Sequence, residues 1–84
     1  MQSVLVIGAG GVSHVTVHKM ASLSKVFTNI ILASRTIDKC LKIKKSVKKI
    51  YNADITIIEL DADNVNDTVS VINKFKPFLV VNLA

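Results

Sequence analysis

The chain has 84 residues, 50% of them apolar and 20% charged, with a formal net charge of +5 at pH 7. This length supports at most one small domain, and the composition excludes a disordered or low-complexity chain. The single cysteine cannot form an internal disulfide, which fits a cytoplasmic protein. No apolar run approaches the roughly 18 residues of a membrane span, so no membrane partner is expected.

Apolar periodicity predicts alternating strands and helices in the order βαβαβαβ. Ser3 to Ile7 is an apolar run that ends in glycines, as in a strand covered on both faces, and Gly11 to about Ser22 reads as a helix. Asn29 to Ala33 is the second predicted strand. Thr36 is a candidate cap for the next helix, whose apolar face is predicted to contain Ile37, Cys40, Ile43, Val47 and Ile50.

The lysines of this second helix fill its other face, which is typical of a solvated surface. No aromatic residue is interleaved with them, so we expect no nucleic-acid partner. Asp54 to Leu60 is predicted as a third strand, followed by a helix capped by Asn64. Pro77 ends that helix and Phe78 to Val81 forms a fourth strand. The third helix is expected to bury Val65, Val69, Ile72 and Phe75.

Strands joined by helices run parallel with right-handed crossovers, so the predicted fold is α/β, a three-layer Rossmann-type sandwich of strand order 3-2-1-4. Residues 1–84 would form the first four strands of an NAD(P)-binding domain. An apolar fourth strand left at the edge would be exposed. We therefore expect an N-terminal fragment of a larger enzyme, without its substrate domain.

A glycine motif lies between the first strand and the first helix, where a dinucleotide fingerprint belongs. Gly8 permits a tight turn, and Gly10 lets the backbone approach a pyrophosphate. The N–H groups of the helix start complete the predicted phosphate site, which comprises Gly8, Gly10, Gly11, Val12 and Ser13. Ser13 replaces the third glycine and is small enough for helix–strand packing. The alternative is an ordinary glycine-rich loop.

The end of the second strand indicates NADP(H) as the cofactor. NAD sites have a carboxylate there for the ribose 2′-OH, whereas this chain has Ser34, Arg35 and Thr36. Arg35 can pair bidentately with a 2′-phosphate, and the two hydroxyls can donate to it. Arg35 as a plain surface residue and Thr36 as a helix cap are the alternatives.

Polar residues also follow the third and fourth strands. Asp61, beside Ala62, is a candidate acceptor for the adenine amine, or else it and Asp63 cap the following turn or helix. Asn82 is expected over the crevice where ligands bind in open α/β sheets, facing the pyrophosphate or the nicotinamide ribose. The alternative is that Asn82 simply ends the strand.

No metal site and no catalytic residue is predicted. His14 and His18 share one helix face, but no third ligand is near them in the sequence. Cys40 is predicted to be a small core hydrophobe.

The segments VLVIGAGGVSHVTVHKMA, IILASRTIDKC and LDADNVNDTVSVINKFKPFLVVNLA together resemble the start of the saccharopine dehydrogenase-like family. The resemblance covers nearly the whole chain, and the segments LASRT and LDADN favour the branch of carboxynorspermidine and carboxyspermidine synthases. Ser13 departs from the family's usual glycine.

The resemblance implies an NADP-dependent oxidoreductase of polyamine biosynthesis. Such an enzyme condenses aspartate β-semialdehyde with a diamine and reduces the imine with NADPH. Its substrate-binding groups would come from the missing domain, through which any homodimer is expected to form, and the isolated fragment is expected to be inactive. The alternatives are a saccharopine reductase of lysine metabolism and a non-catalytic NADP-sensing domain.

Overall fold

The structure is a computed structural model that describes residues 3–23 and 27–84. All predicted site residues lie in these ranges, and the elements follow the predicted order. They are β1 (Ser3–Ile7), α1 (Gly11–Ser22), β2 (Asn29–Ser34), α2 (Ile37–Tyr51), β3 (Ile55–Glu59), α3 (Val65–Phe75) and β4 (Leu79–Asn82). Two boundaries matter for the site, because β2 and β4 each end one residue later than predicted. Ser34 and Asn82 are therefore strand residues rather than loop residues.

The four strands form one parallel sheet in the order β3-β2-β1-β4, which confirms the predicted topology. Ile7 pairs with Ala33 on one side and with Asn82 on the other, and Ser34 pairs with Glu59. Because the strands are parallel, all four carboxyl ends meet at one edge of the sheet. The chain segments that leave those ends are the ones available to build a ligand site.

Alternate residues of β1, β2 and β3 enter two separate cores, which makes the fold three layers thick. Val4 and Val6 of β1 pack under α1 and α2, whereas Leu5 and Ile7 face the layer of α3. All four are at most 3% exposed. Burial of such side chains contributes about 1.5–3 kcal/mol each, so both faces of the sheet stabilise the edge on which the site is built.

The predicted apolar face of α2 is correct in its middle, whereas Ile37 at its start is only half-buried. Cys40, Ile43 and Val47 are buried, as predicted, and Cys40 is a core residue with no exposed surface. Ile50 was expected in the same stripe but is 62% exposed. It lies in the last turn of α2, beyond Val47, which is the last buried residue of the helix.

The predicted face of α3 is partly wrong. Ile72 and Phe75 pack against the second core as expected, together with Val71, whereas Val65 and Val69 are 71% and 48% exposed. The residues facing the sheet are centred between Val71 and Ile72. At about 100° per residue, Val69 falls near the margin of that stripe. Both ends of α3 agree with the prediction. The Asn64 side chain caps the helix by accepting from the Asp67 N–H, and the helix ends just before Pro77.

The edge strand β4 exposes apolar side chains, as predicted. Leu79 and Val80 are 41% and 39% exposed, and Phe78 just before them is 73% exposed. Within the described ranges, no helix combines the length and the apolarity needed to cross a bilayer.

Candidate functional site

A groove of about 360 Å³ runs along the carboxyl edge of the sheet. Seven of the predicted site residues line it: Gly8, Gly10, Ser34, Arg35, Thr36, Asp61 and Ala62. Its walls are joined by backbone hydrogen bonds from Gly8 N–H to the Ala33 carbonyl at 2.7 Å and from Leu60 N–H to the Ser34 carbonyl at 3.0 Å. The glycine turn and the ends of β2 and β3 are thereby held in one rigid arrangement.

Gly8 and Gly10 have different structural tasks. Gly8 has a φ of +108°, and a Cβ built on it would lie 3.0 Å from the Ala84 nitrogen and the Leu83 carbonyl carbon. Only glycine fits this turn without strain. Gly10 has an extended φ of −81°, and a Cβ there would meet no atom within 4 Å. The fold does not need a glycine at position 10, so the open space beside it fits the close approach of a ligand.

The start of α1 is suited to an anion. Gly10 is its N-cap, without a side-chain cap hydrogen bond, and its first turn contains no acidic residue. The partial positive charge of a helix N-terminus and its free N–H groups are therefore not offset locally. This end of the helix meets the open space at Gly10, which is the arrangement that a bound pyrophosphate requires.

Three of the predicted residues at the start of α1 do not line the groove. Gly11 borders a neighbouring cavity, and Val12 is 65% exposed. Ser13 is 1% exposed, and within the described chain its hydroxyl has no hydrogen-bond partner. Its side chain therefore serves packing beneath the turn, where the motif usually has glycine.

The end of β2 presents Ser34, Arg35 and Thr36 to the groove. The Ser34 hydroxyl accepts from the Thr36 N–H at 3.1 Å, which shapes the turn into α2. Thr36 occupies the N-cap position, as predicted, but its side chain makes no cap hydrogen bond. Arg35 is exposed, and within the described residues the one ion pair joins Lys48 and Asp54, so the guanidinium has no carboxylate partner there.

Acidic residues lie at the opposite wall of the groove, after β3. Asp61 and Ala62 line it, and Asp63 does so as well. The Asp61 carboxylate accepts from the Asp63 N–H at 3.0 Å, so it caps this turn, while Asn64 caps the helix. The groove thus has a cationic side at β2 and an anionic side at β3.

Asn82 does not line the groove. Its side-chain oxygen accepts from the Ala84 N–H at 3.0 Å, and the backbone segment that reaches the groove is Leu83 and Ala84. Sequence reasoning missed these two residues, as well as Ile7, Ala9, Leu60 and Asp63. The signal was available, because each of these residues lies within two positions of a predicted site residue in the sequence.

Two titratable features lie outside the groove. His14 and His18 stack with ring centroids 4.5 Å apart, and His18 Nε2 is 3.0 Å from the Ser46 hydroxyl. Burial, and to a smaller extent the charge of His14, lower the pKa of His18. Burial raises the pKa of the Cys40 thiol, although its hydrogen bond with Ser34 opposes the shift. In the part of the chain that the structure describes, no three metal-ligating side chains come together.

Comparison with known proteins assigns the chain to a family. Residues 4–84 match the family described as the saccharopine dehydrogenase NADP binding domain. The chain is 41% identical to carboxynorspermidine synthase of Vibrio cholerae over 85 aligned residues, which cover 95% of this chain and 20% of that protein. It is 42% identical to carboxyaminopropylagmatine dehydrogenase of Synechocystis over 84 residues, which cover 100% of this chain and 20% of that protein. The chain thus spans about a fifth of the length of the curated relatives it matches.

A solved structure agrees with the fold. Protein Rv1636 of Mycobacterium tuberculosis superimposes with a TM-score of 0.63 over 96% of this chain and 69% of that chain, at 18% identity. An identity this low supports the fold alone.

Proposed function

The chain belongs to the saccharopine dehydrogenase NADP-binding domain family, and we propose that residues 1–84 are the first four strands of an NADP(H)-binding domain whose groove holds the cofactor. The observation that carries the proposal is the groove itself. It joins three features at one sheet edge: a glycine turn, a helix N-terminus without an acidic residue in its first turn, and an arginine that has no ion-pair partner among the described residues. The end of β2 contains no carboxylate.

The proposed cofactor position follows from the charges of the groove. The pyrophosphate lies at Gly8, Gly10 and Gly11, against the start of α1. The 2′-phosphate lies at Arg35, where a guanidinium can make a bidentate contact and the hydroxyls of Ser34 and Thr36 can donate. The adenine lies toward the Asp61 wall, whose carboxylate can accept from its exocyclic amine.

Three residues of the predicted set have lesser roles in this proposal. Val12 contributes its backbone N–H in the first turn of α1, and Ser13 supports that turn from below. Asn82 holds the Leu83–Ala84 backbone through its bond to the Ala84 N–H and so shapes the nicotinamide end of the groove.

For the whole protein we propose an NADPH-dependent imine reductase of polyamine metabolism. The support is the relatives named carboxynorspermidine synthase and carboxyaminopropylagmatine dehydrogenase. In this reaction aspartate β-semialdehyde condenses with an amine, and the bound cofactor supplies the hydride that reduces the imine carbon. The described residues bind and orient the cofactor, and we assign no catalytic residue among them. A saccharopine reductase is the second candidate, because the matching family is named for saccharopine dehydrogenase.

Cofactor selectivity tests the first proposal. Full-length protein is titrated with NADPH and NADH, as wild type and as Arg35→Ala. Loss of a charged hydrogen bond of about 1.5–3 kcal/mol predicts NADPH binding weakened roughly 10- to 150-fold, with NADH binding little changed. Lys49→Ala is the matched control, because it removes one positive charge from the far end of α2.

The outcomes separate the parts of the proposal. Equal weakening of both nucleotides would remove Arg35 from the 2′-phosphate site. No binding of either nucleotide by the wild-type protein would refute a cofactor-binding groove.

Turnover tests the wider proposal. NADPH consumption is followed with aspartate β-semialdehyde plus putrescine, diaminopropane or agmatine, and separately with a lysine-derived semialdehyde plus glutamate. Turnover with the first set supports the polyamine reductase, and turnover with the second supports a saccharopine reductase. Tight NADPH binding without turnover of either set would favour the NADP-sensing alternative.

A further inference from the structure

The net charge of the chain is located on α2. This helix contains six of the eleven basic residues of the chain and one of its six acidic residues, Asp38. Its charge balance therefore equals the formal net charge of +5 of all 84 residues, and the remaining segments are balanced between acids and bases. Five of the six lysines are exposed, and Lys44 is half-buried. Helix α2 thus presents a positive surface to the solvent.

The groove lining, in contrast, offers little attraction to an anion. Among the described residues that line it, Arg35 is the one basic side chain, whereas Asp61 and Asp63 are acidic. The start of α1 adds a partial charge of about +0.5. The proposed cofactor is strongly anionic, because NADPH combines a pyrophosphate with a 2′-phosphate monoester that alone carries about −1.5 to −2. In this chain, long-range attraction of such a ligand therefore has to come from outside the groove lining.

Helix α2 is placed to supply that attraction. It starts directly after Thr36, which lines the groove. Lys44 and Lys45 line neither the groove nor the cavity that adjoins it at the glycine turn. At a rise of about 1.5 Å per residue, they lie roughly 12–14 Å along the helix from Thr36. These two lysines are therefore placed to act on an approaching nucleotide through their electric field rather than by contact.

We infer that the lysine surface of α2 guides the anionic cofactor toward the groove, and that it does so more strongly for NADP(H) than for NAD(H). The inference rests on the proposed function, in which the groove holds the cofactor. A surface with one sign of charge raises the association rate of an oppositely charged ligand and makes that rate depend on ionic strength. Because NADPH carries roughly twice the charge of NADH, the same field adds a kinetic preference for NADPH to the contacts made at Arg35.

Two double variants separate this role from a general effect of net charge. Lys44→Gln with Lys45→Gln removes two charges from the middle of α2. Lys19→Gln with Lys74→Gln removes two charges from the last turns of α1 and α3. All three helices begin at the carboxyl edge of the sheet, so these last turns lie toward the edge opposite the groove. Glutamine has a helix propensity close to that of lysine, so both variants are expected to fold.

Stopped-flow mixing of full-length protein with NADPH or NADH, followed by nicotinamide fluorescence, measures the association rate. At an ionic strength of about 0.01 M the Debye length is about 30 Å, and at about 0.15 M it is about 8 Å. At the lower ionic strength the Lys44, Lys45 variant is expected to associate about three- to tenfold more slowly with NADPH and about two- to threefold more slowly with NADH, from the attraction of two charges over roughly 15 Å. At the higher ionic strength both effects are expected to fall below about twofold.

The dissociation rate distinguishes guidance from contact. It is measured by displacing the bound nucleotide with excess oxidised cofactor. In the Lys44, Lys45 variant it is expected to stay within about twofold of the wild-type rate, because charges outside a binding site change association and its salt dependence. Arg35→Ala, which removes a contact of the proposed function, is expected instead to speed the dissociation of NADPH.

The failures of the two proposals are distinguishable. If the wild-type protein binds neither nucleotide, the proposed cofactor groove fails, and the guiding role of α2 fails with it. If it binds NADPH but the Lys44, Lys45 variant associates at the wild-type rate at low ionic strength, only the present inference is overturned. Equal slowing in the Lys19, Lys74 variant, equal slowing of NADPH and NADH, or a loss of affinity that comes from faster dissociation would also overturn it.

Discussion

Replacing Gly8 by alanine is expected to destabilise the fold, whereas the same change at Gly10 is expected to leave it intact. The backbone at Gly8 has a φ of +108°, and the added Cβ would lie 3.0 Å from two backbone atoms of Leu83 and Ala84. Backbone atoms cannot rotate away as the end of a side chain can. Relief requires moving a segment that is fixed by the 2.8 Å hydrogen bond from Leu83 N–H to the Ile7 carbonyl.

The magnitude follows from these two costs. A non-glycine residue in a sparsely populated backbone region costs about 1–3 kcal/mol, and weakening the Leu83 hydrogen bond adds about 0.5–1.5 kcal/mol. The total of roughly 2–4 kcal/mol corresponds to a drop in Tm on the order of 10–30 °C for a domain of this size. For Gly10→Ala, no atom lies within 4 Å of the added Cβ. Its change in unfolding free energy is expected to stay within about 1 kcal/mol.

Thermal and urea unfolding of both variants, followed by circular dichroism, measures the difference. A larger side chain at position 10 is expected to affect nucleotide binding rather than stability. Gly10→Val should keep a cooperative unfolding transition but lose both NADPH and NADH, because its side chain occupies the space at the pyrophosphate approach. A Gly8→Ala protein with the wild-type Tm would refute the assignment of Gly8 to the turn. Undiminished nucleotide affinity in Gly10→Val would refute that of Gly10.

Three further outcomes are expected. Ser13→Ala removes a buried hydroxyl that has no hydrogen-bond partner within residues 3–23 and 27–84, so it should raise the free energy of unfolding by about 1 kcal/mol. Nucleotide affinity should stay within about twofold, and a loss of stability would show that the hydroxyl is bonded in solution. Val47→Ala should lower the free energy of unfolding by about 2 kcal/mol, because Val47 is fully buried. Ile50→Ala should lower it by less than about 0.5 kcal/mol, because Ile50 is 62% exposed. Equal losses in urea unfolding would contradict the observed orientation of α2. Because the folded protein holds the pKa of His18 below 6.5, the unfolded state binds its proton first, so stability should be level above about pH 6.5 and fall as the pH drops below it. An NMR titration should show the His18 pKa closer to 6.5 in His14→Gln, and an unchanged value would exclude His14 as a cause.

The fold was predictable because its strongest signals are local. Continuous apolar runs such as Val4 to Ile7 identify strands buried on both faces, and the helices between them require parallel pairing with a fixed hand. The helix faces were less predictable, as Ile50 and Val69 show. Periodicity defines an apolar stripe, but the position of a helix over the sheet decides which part of that stripe is covered.

The residues that line the groove could be predicted where they lie at or just after the end of a strand. Gly8, Arg35 and Asp61 were found because parallel strands bring their carboxyl ends together, so adjacency in space follows from topology alone. Asn82 shows where that rule stops. A position at a strand end does not determine the direction of the side chain. Here the amide oxygen of Asn82 accepts from the Ala84 N–H, and Leu83 and Ala84 reach the groove instead.

Lys39 exposes a different limit of sequence patterns. A helical period divides α2 into an apolar face and a charged face, and all of its lysines then appear equivalent and solvated. The structure divides the charged face again, because Lys39 lines the cavity beside the glycine turn, Lys45 lines a different space, and Lys42 borders both.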